Sequence, residues 1–175
     1  MFDDDAPAPT EPEEYAPTDW DAQVALVWAT TDQFTDDEVI AVIDALAEQR
    51  GPLNAAALFE RASARDYVGR EADAAPLYRA ALELGLDDIR RPQAVIQLAS
   101  TLRNLGETAE AVALLENQLE ADPESRWAAP TAAFLALALS SDGRQREATA
   151  VALAALASFL PAYSNAVRRY ATELR

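Results

Sequence analysis

Carboxylates and guanidinium groups are the only strongly ionic side chains available for chemistry, since 30 aspartates and glutamates stand with 14 arginines and there is no lysine, histidine or cysteine. Without cysteine or histidine the chain cannot build a Cys-His pair, a Ser-His-Asp triad or a zinc site of the usual nitrogen and sulfur ligands. Paired carboxylates such as Asp36-Asp37 and Asp87-Asp88 have the chemistry for general acid and base work, but they fall at a helix start and in a loop, where capping and solvation account for them. The Asp3-Asp4-Asp5 run lacks the spacing and the glycine of a calcium loop. The five glycines stand singly, as turn residues do, and form no phosphate-cradling loop. No enzyme activity, metal or cofactor is expected, and binding is the chemistry left.

The elements that would present a binding surface are helices. From Pro92 onward, Ala94, Val95, Leu98, Ala99 and Leu102 recur at the three- and four-residue spacing of one helix face. After Gly106, Ala111, Val112, Leu114, Leu115 and Leu119 do the same, with Glu107 and Glu110 at the start, where negative charge suits the helix dipole. Asp122-Pro123 ends the second helix, because proline has no amide proton and disfavours helix at the residue before it. This helix-turn-helix recurs. Gly69-Arg-Glu-Ala-Asp-Ala74, Gly106-Glu-Thr-Ala-Glu-Ala111 and Gly143-Arg-Gln-Arg-Glu-Ala148 align, with 37 residues from one turn glycine to the next. The glycine supplies the positive φ of a tight reversal. Ala74, Ala111 and Ala148 are placed where paired helices approach most closely, so a larger side chain would force them apart.

On these residues the chain resembles the tetratricopeptide repeat family, whose unit is a helix-turn-helix of about 34 residues. The resemblance covers roughly residues 53 to 160. Leu98, Ala99, Leu102, Gly106, Ala111, Leu115, Leu119 and Pro123 stand at signature positions of the middle unit, and Gly69, Ala74, Tyr78, Ala81 and Leu82 at those of the first. The third keeps Leu135, Ala136, Leu139, Gly143, Ala148, Ala155 and Leu156, with Pro161 near the closing proline. The first unit departs from the pattern at Arg61, so its first helix is expected either to carry a partly buried ion pair or to be rotated. The longer units imply longer inter-repeat loops, at Asp87 to Arg91 and Glu124 to Trp127. The implied fold is all-α, a right-handed α-solenoid of about three helix-turn-helix repeats with N- and C-terminal capping helices.

The flanks complete that division. Met1 to Asp19 combines six acidic residues before Asp19 with Pro7, Pro9, Pro12 and Pro17 and reads as a disordered acidic tail. It has neither the positive start nor the apolar run of a signal peptide. Residues 20–52 read as an N-terminal cap. Trp20 to Thr30 is apolar with a period that does not separate helix from strand, and is assigned helix; Thr35 is an N-cap before the broad apolar face of Val39, Ile40, Val42, Ile43 and Leu46. Residues 53–175 hold the repeats and a closing helix from Ala162 to Leu174, with Val167, Tyr170, Ala171 and Leu174 inward. Trp127 to Ser141 and Ala148 to Val167 carry no charge, yet alanine is barely hydrophobic and Pro161 interrupts the second run, so both are assigned to the repeats as buried partners and no membrane span is expected.

The net charge of −16 divides unevenly. Residues 1–50 hold 14 acidic residues and one arginine, whereas the remainder holds 16 acidic residues and 13 arginines. The repeat region is nearly balanced, which argues against nucleic-acid binding through a phosphate-neutralising patch. The absence of cysteine fits a cytoplasmic protein, and the arginine-only, alanine-rich composition reads as GC-rich bacterial coding.

The resemblance implies a concave groove lined by the first helices of successive repeats. It places Phe59, Ser63, Asp66 and Tyr67 there from the first unit, Gln93, Ile96, Gln97, Ser100, Arg103 and Asn104 from the second, and Ala133, Phe134, Leu137 and Ser140 from the third. Relatives that clamp a chaperone's terminal carboxylate use lysine, asparagine and arginine where this chain has Phe59, Ser63, Gln97, Pro130 and Phe134, so that activity is not expected. The expected function is a scaffold that binds a protein or peptide segment in the groove, with apolar anchors from Phe59, Tyr67, Ile96 and Phe134. The alternative is a homodimer or other self-assembly through apolar terminal helices.

Overall fold

The computed structural model describes residues 19–174. The expected acidic tail lies outside these residues except for Asp19, which opens the first helix. Within them the chain forms nine α-helices: α1 (Asp19–Ala29), α2 (Asp36–Glu48), α3 (Ala55–Tyr67), α4 (Glu71–Leu84), α5 (Arg90–Asn104), α6 (Thr108–Ala121), α7 (Ala128–Ser141), α8 (Gln145–Ala157) and α9 (Ser164–Thr172). No strand occurs among the described residues.

Three of the reversals are built alike. Gly69, Gly106 and Gly143 adopt φ of 75°, 85° and 82°. Nothing lies within 4 Å of where their Cβ atoms would be, so backbone conformation and not space requires the glycine. After each, the next amide donates back across the turn: Arg70 N to Arg65 O at 2.8 Å, Glu107 N to Leu102 O at 2.8 Å, and Arg144 N to Leu139 O at 2.9 Å. The glycine amides bond Asp66, Arg103 and Ser140 in turn. This paired closure satisfies carbonyls that a helix end leaves without partners, and the same Arg70, Glu107 and Arg144 then serve as N-caps of α4, α6 and α8.

Four residues beyond those caps stand Ala74, Ala111 and Ala148, all buried. The same offset from Thr35, the N-cap of α2, gives Val39, which is also buried. The N-terminal cap therefore has the construction of a further helix pair, α1 with α2. Its turn differs, since a 3-10 turn at Thr31–Gln33 and an extended Phe34 stand where the others have glycine. Thr35 and Glu38 close a reciprocal capping box. Trp20, Val24 and Val27 of α1 pack with Val39, Ile43, Leu46 and Ala47 of α2 and with Ala57 and Ala64 of α3. Trp20 Nε1 donates to the Leu46 carbonyl at 2.8 Å, which satisfies the indole's only polar atom.

Each second helix packs on the following first helix, α2 on α3, α4 on α5, α6 on α7 and α8 on α9. The first helices also touch, α3 on α5 and α5 on α7. By contrast α4 reaches α6 through the long side chain of Arg79, paired to Glu107 at 3.2 Å and Glu110 at 3.0 Å. The closer layer must lie on the inside of the curve, so the concave side belongs to the first helices. One core runs through all the repeats, from Leu58, Ala62 and Tyr78 through Leu98, Leu102 and Leu115 to Leu135 and Leu139.

The departure at Arg61 resolves as an ion pair. Arg61 Nε lies 3.0 Å from Asp44 Oδ1 and Arg65 Nη2 2.9 Å from Asp44 Oδ2, joining α2 to α3. Burial pushes the Asp44 carboxyl up, but the hydrogen bonds and charges of Arg65 and Arg61 outweigh it and hold the group below the usual carboxylate range. The loop before α5 is shorter than expected, because Asp87 accepts from the amides of Ile89 at 3.0 Å and Arg90 at 2.8 Å and starts the helix at Arg90, ahead of Pro92.

The C-terminal end departs most from expectation. The closing helix spans Ser164–Thr172, Ala171 is its buried residue, Val167 and Leu174 are half-buried, and Tyr170 is exposed. The tyrosine does not face inward, because the inward line runs through Val167, Ala171 and Leu174 at spacings of four and three and Tyr170 lies beside it. Nor are the two uncharged stretches wholly buried, as Leu137 of α7, Leu156 of α8 and Phe159 just beyond it are exposed. No helix among the described residues is long and apolar enough to cross a membrane.

Candidate functional site

The first-helix layer lines a half-open cavity of about 430 Å³. Trp28 comes from α1, Phe59, Glu60, Ser63, Asp66 and Tyr67 from α3, Gln93 and Gln97 from α5, and Tyr78 reaches in from α4. Along α3 two stripes converge on it. Phe59, Ser63 and Asp66 recur at four and three, as Glu60, Ser63 and Tyr67 do at three and four, which puts them on neighbouring lines of one helix face.

A hydrogen-bond network fixes the floor. Tyr78 OH donates to Gln97 Oε1 at 2.7 Å. Ser63 Oγ lies 2.9 Å from the Phe59 carbonyl and 3.0 Å from Gln97 Oε1. Thr101 Oγ1 stands 3.0 Å from Asp66 Oδ1 and 2.9 Å from the Gln97 carbonyl, and its single proton serves one of them at a time. Gln93 Nε2 donates to the Ile89 carbonyl at 2.9 Å. Aromatic rings form the apolar part of the wall. Trp28 meets Tyr67 edge-on with centroids 5.8 Å apart, and Phe59 meets Tyr78 at 6.1 Å.

Two acids complete the site. Glu60 is 6% exposed; its Oε2 accepts from Trp28 Nε1 at 2.7 Å, while Oε1 is 3.9 Å from Arg90 Nε. Arg90 is itself paired with Asp21 and, at 2.6 Å, with Asp87. Burial raises the Glu60 carboxyl above its ordinary range, against the Trp28 hydrogen bond and the Arg90 charge. Burial likewise raises Asp66, against its bond from Thr101. The Tyr78 hydroxyl is pushed up by burial and by the nearby Asp66 charge, and stays protonated.

Of the residues expected in the groove, the cavity brings together Phe59, Ser63, Asp66, Tyr67, Gln93 and Gln97. Phe59 reaches it as a buried wall residue, not as an exposed anchor. Ile96 is buried in the core, and Phe134 is half-buried against the same core. Ser100 is half-buried outside the cavity. Arg103 gives Nη2 to Asn104 Oδ1 at 2.9 Å and keeps a buried Nε without a partner, and Asn104 donates to Glu71 at 3.3 Å. Ala133 and Leu137 line a separate apolar hollow, and Ser140 is exposed. Trp28, Glu60 and Tyr78 were not foreseen as lining. Tyr78 stands at a repeat signature position, so core packing masks its hydroxyl, and the signal for Glu60 is an acid following the apolar run Ala55 to Phe59.

Stacked helix pairs around an open groove, with side chains of three successive first helices in one cavity, define a helical-repeat scaffold. Residues 55–174 match the family model described as tetratrico peptide repeat. The chain belongs to that family, whose members typically mediate protein–protein interactions and are generally non-catalytic scaffolds. No curated protein and no solved structure matches the chain.

Proposed function

We propose that the protein is an interaction scaffold that holds a peptide or protein segment in the first-helix groove, centred on the cavity between α1, α3 and α5. The observation that carries this reading is that the cavity draws its lining from three successive first helices, so only the assembled stack forms it. Its size falls in the range of roughly 300–1,000 Å³ typical of ligand pockets. Farther along the groove, Arg103 offers a buried Nε donor with no acceptor, suited to a carbonyl or carboxylate of the bound segment. The test is capture of partners from the source organism, followed by titration of the captured partner against Tyr67→Ala and Gln93→Ala. Tyr67 is exposed and Gln93 half-buried, so both variants should keep the parent's melting temperature while weakening binding by roughly 1–3 kcal/mol. A partner that binds both as tightly as the parent removes the groove from consideration.

A second reading, self-association, is favoured by a different observation. Leu137, Leu156 and Phe159 are exposed around an alanine-lined hollow of about 620 Å³ between α7 and α8. In the inner repeats a following first helix packs on both helices of the preceding pair, as α5 does on α3 and α4 and α7 on α5 and α6. At this end α9 packs on α8 and is only nine residues long, which leaves the α7 side uncovered.

A further inference from the structure

We infer that the cavity recognises a basic side chain, an arginine of the bound segment, between its aromatic wall and the carboxylate of Asp66. The inference rests on the groove reading above and names the chemistry the groove selects.

Charge comes first. The lining contains two acids and no basic residue. No full positive charge lines the cavity to hold an anionic ligand.

Hydrogen-bond supply comes second. Tyr78 OH has one proton, and at 2.7 Å it is given to Gln97 Oε1; its separation of 3.5 Å from Asp66 Oδ2 is at the limit of a hydrogen bond. The proton that Thr101 offers to Asp66 Oδ1 is shared with the Gln97 carbonyl. Asp66 therefore carries a carboxylate with one shared donor and one oxygen short of any. Among the described residues, Glu60 Oε1 has the Arg90 guanidinium as its charged neighbour, at 3.9 Å. Carboxylates partly withdrawn from water and short of donors gain most from a donor that also brings positive charge. That burial raises both acids agrees with a site whose complement is missing from the free protein.

Shape comes third. Trp28 and Tyr67 supply accessible ring surface in the cavity, with the buried Phe59 and Tyr78 rings behind them, and a guanidinium stacks on such rings while its fork of N–H donors meets a carboxylate in two parallel bonds. An ammonium matches the charge but not the planar fork, so arginine is expected to bind better than lysine. The Gln93 oxygen remains an acceptor for a third N–H, because that side chain commits its Nε2 to Ile89.

The experiment uses the full chain and a set of capped hexapeptides that differ at one central position: arginine, lysine, citrulline or glutamate. Citrulline keeps the shape of arginine and removes the charge. Binding is read by calorimetry and by the emission of Trp28 in the cavity, in a Trp20→Phe, Trp127→Phe background that reports it alone. The arginine peptide should bind at least tenfold tighter than the citrulline peptide, with lysine between them and glutamate undetectable. Asp66→Asn, in which the amide oxygen still accepts from Thr101, should cut the arginine-to-citrulline ratio to near one while leaving the melting temperature close to the parent's. Free arginine amide should compete weakly, at millimolar concentration, because it lacks the flanking backbone. Equal affinity for arginine and citrulline, or an unchanged ratio in Asp66→Asn, overturns the inference and leaves the groove standing. Absence of binding by every peptide overturns it, and partner titration against Tyr67→Ala then decides the groove on its own.

Discussion

At the scale of single residues, the acids divide by what surrounds them. Asp44 and Asp87 are partly buried, which raises their carboxyls, but Arg65 and Arg61 on the one and the Arg90 backbone and guanidinium on the other reverse the sign. Their contribution to stability is present above the ordinary carboxylate range and lost as pH falls through the lowered value. Glu60 and Asp66 run the other way. A carboxyl raised on folding stabilises most below its unfolded pKa, and that contribution is lost as pH rises through the folded one. Glu60→Gln keeps an acceptor for Trp28 Nε1 and removes the buried charge, while Arg90 retains Asp21 and Asp87. Relative to the parent, the variant should therefore gain stability between about pH 4 and about pH 7. Urea midpoints measured at the two pH values check this, and a constant difference would mean that Glu60 keeps its ordinary pKa. Sequence pattern reached Asp66 and Gln97 but not Glu60 or Trp28. Helical periodicity identifies faces, and a charged residue at the border of an apolar face has no signal of its own until its partners, here Trp28 and Arg90, arrive from distant segments.

At the scale of elements, the three glycine turns were legible because only a positive φ closes them, and only glycine adopts it freely. The pairing of α1 with α2 was not legible as a repeat. Its turn uses Phe34 where the others use glycine, and Val39 replaces the small residue at the close contact. Trp20 and Leu46 share one buried cluster with Val39. The alanine contacts themselves carry a prediction graded by position. Ala111 is fully buried between α5 and α6, whereas Ala148 also edges the open hollow beside α7. Ala111→Arg should cost on the order of 3 kcal/mol or more through overpacking and burial of charge, and Ala148→Arg less, because its side chain has an exit to water. Denaturant midpoints of the two variants decide it; equal losses would show that the hollow is closed in solution.

At the scale of the whole molecule, the described acidic residues of the N-terminal cap and the apolar hollow between α7 and α8 lie toward opposite ends of the stack. Residues 1–50 carry 14 acidic residues and one arginine, while Trp127 to Ser141 and Ala148 to Val167 carry no charge. The described part of the acidic half stands at one end of the stack and the α7–α8 hollow near the other. Two copies docked through α7 and α8 would bury Leu137, Leu156 and Phe159 against each other and keep the acidic residues of α1 and α2 apart, which limits repulsion between two negatively charged chains. A face-to-face pair also closes on itself, whereas a head-to-tail contact would propagate into a filament. Light scattering after size exclusion should then give the mass of two chains at tens of micromolar protein, against 18.9 kDa for one. Leu156→Arg changes a half-exposed residue, so it should leave the helical signal and melting temperature of the monomer intact while shifting the mass to a single chain. Arginine-peptide binding should be the same in this variant, since the cavity by α3 lies outside the hollow. A parent that runs as one chain at the highest concentration, or a variant that still pairs, would assign the uncovered α7 face to a different occupant.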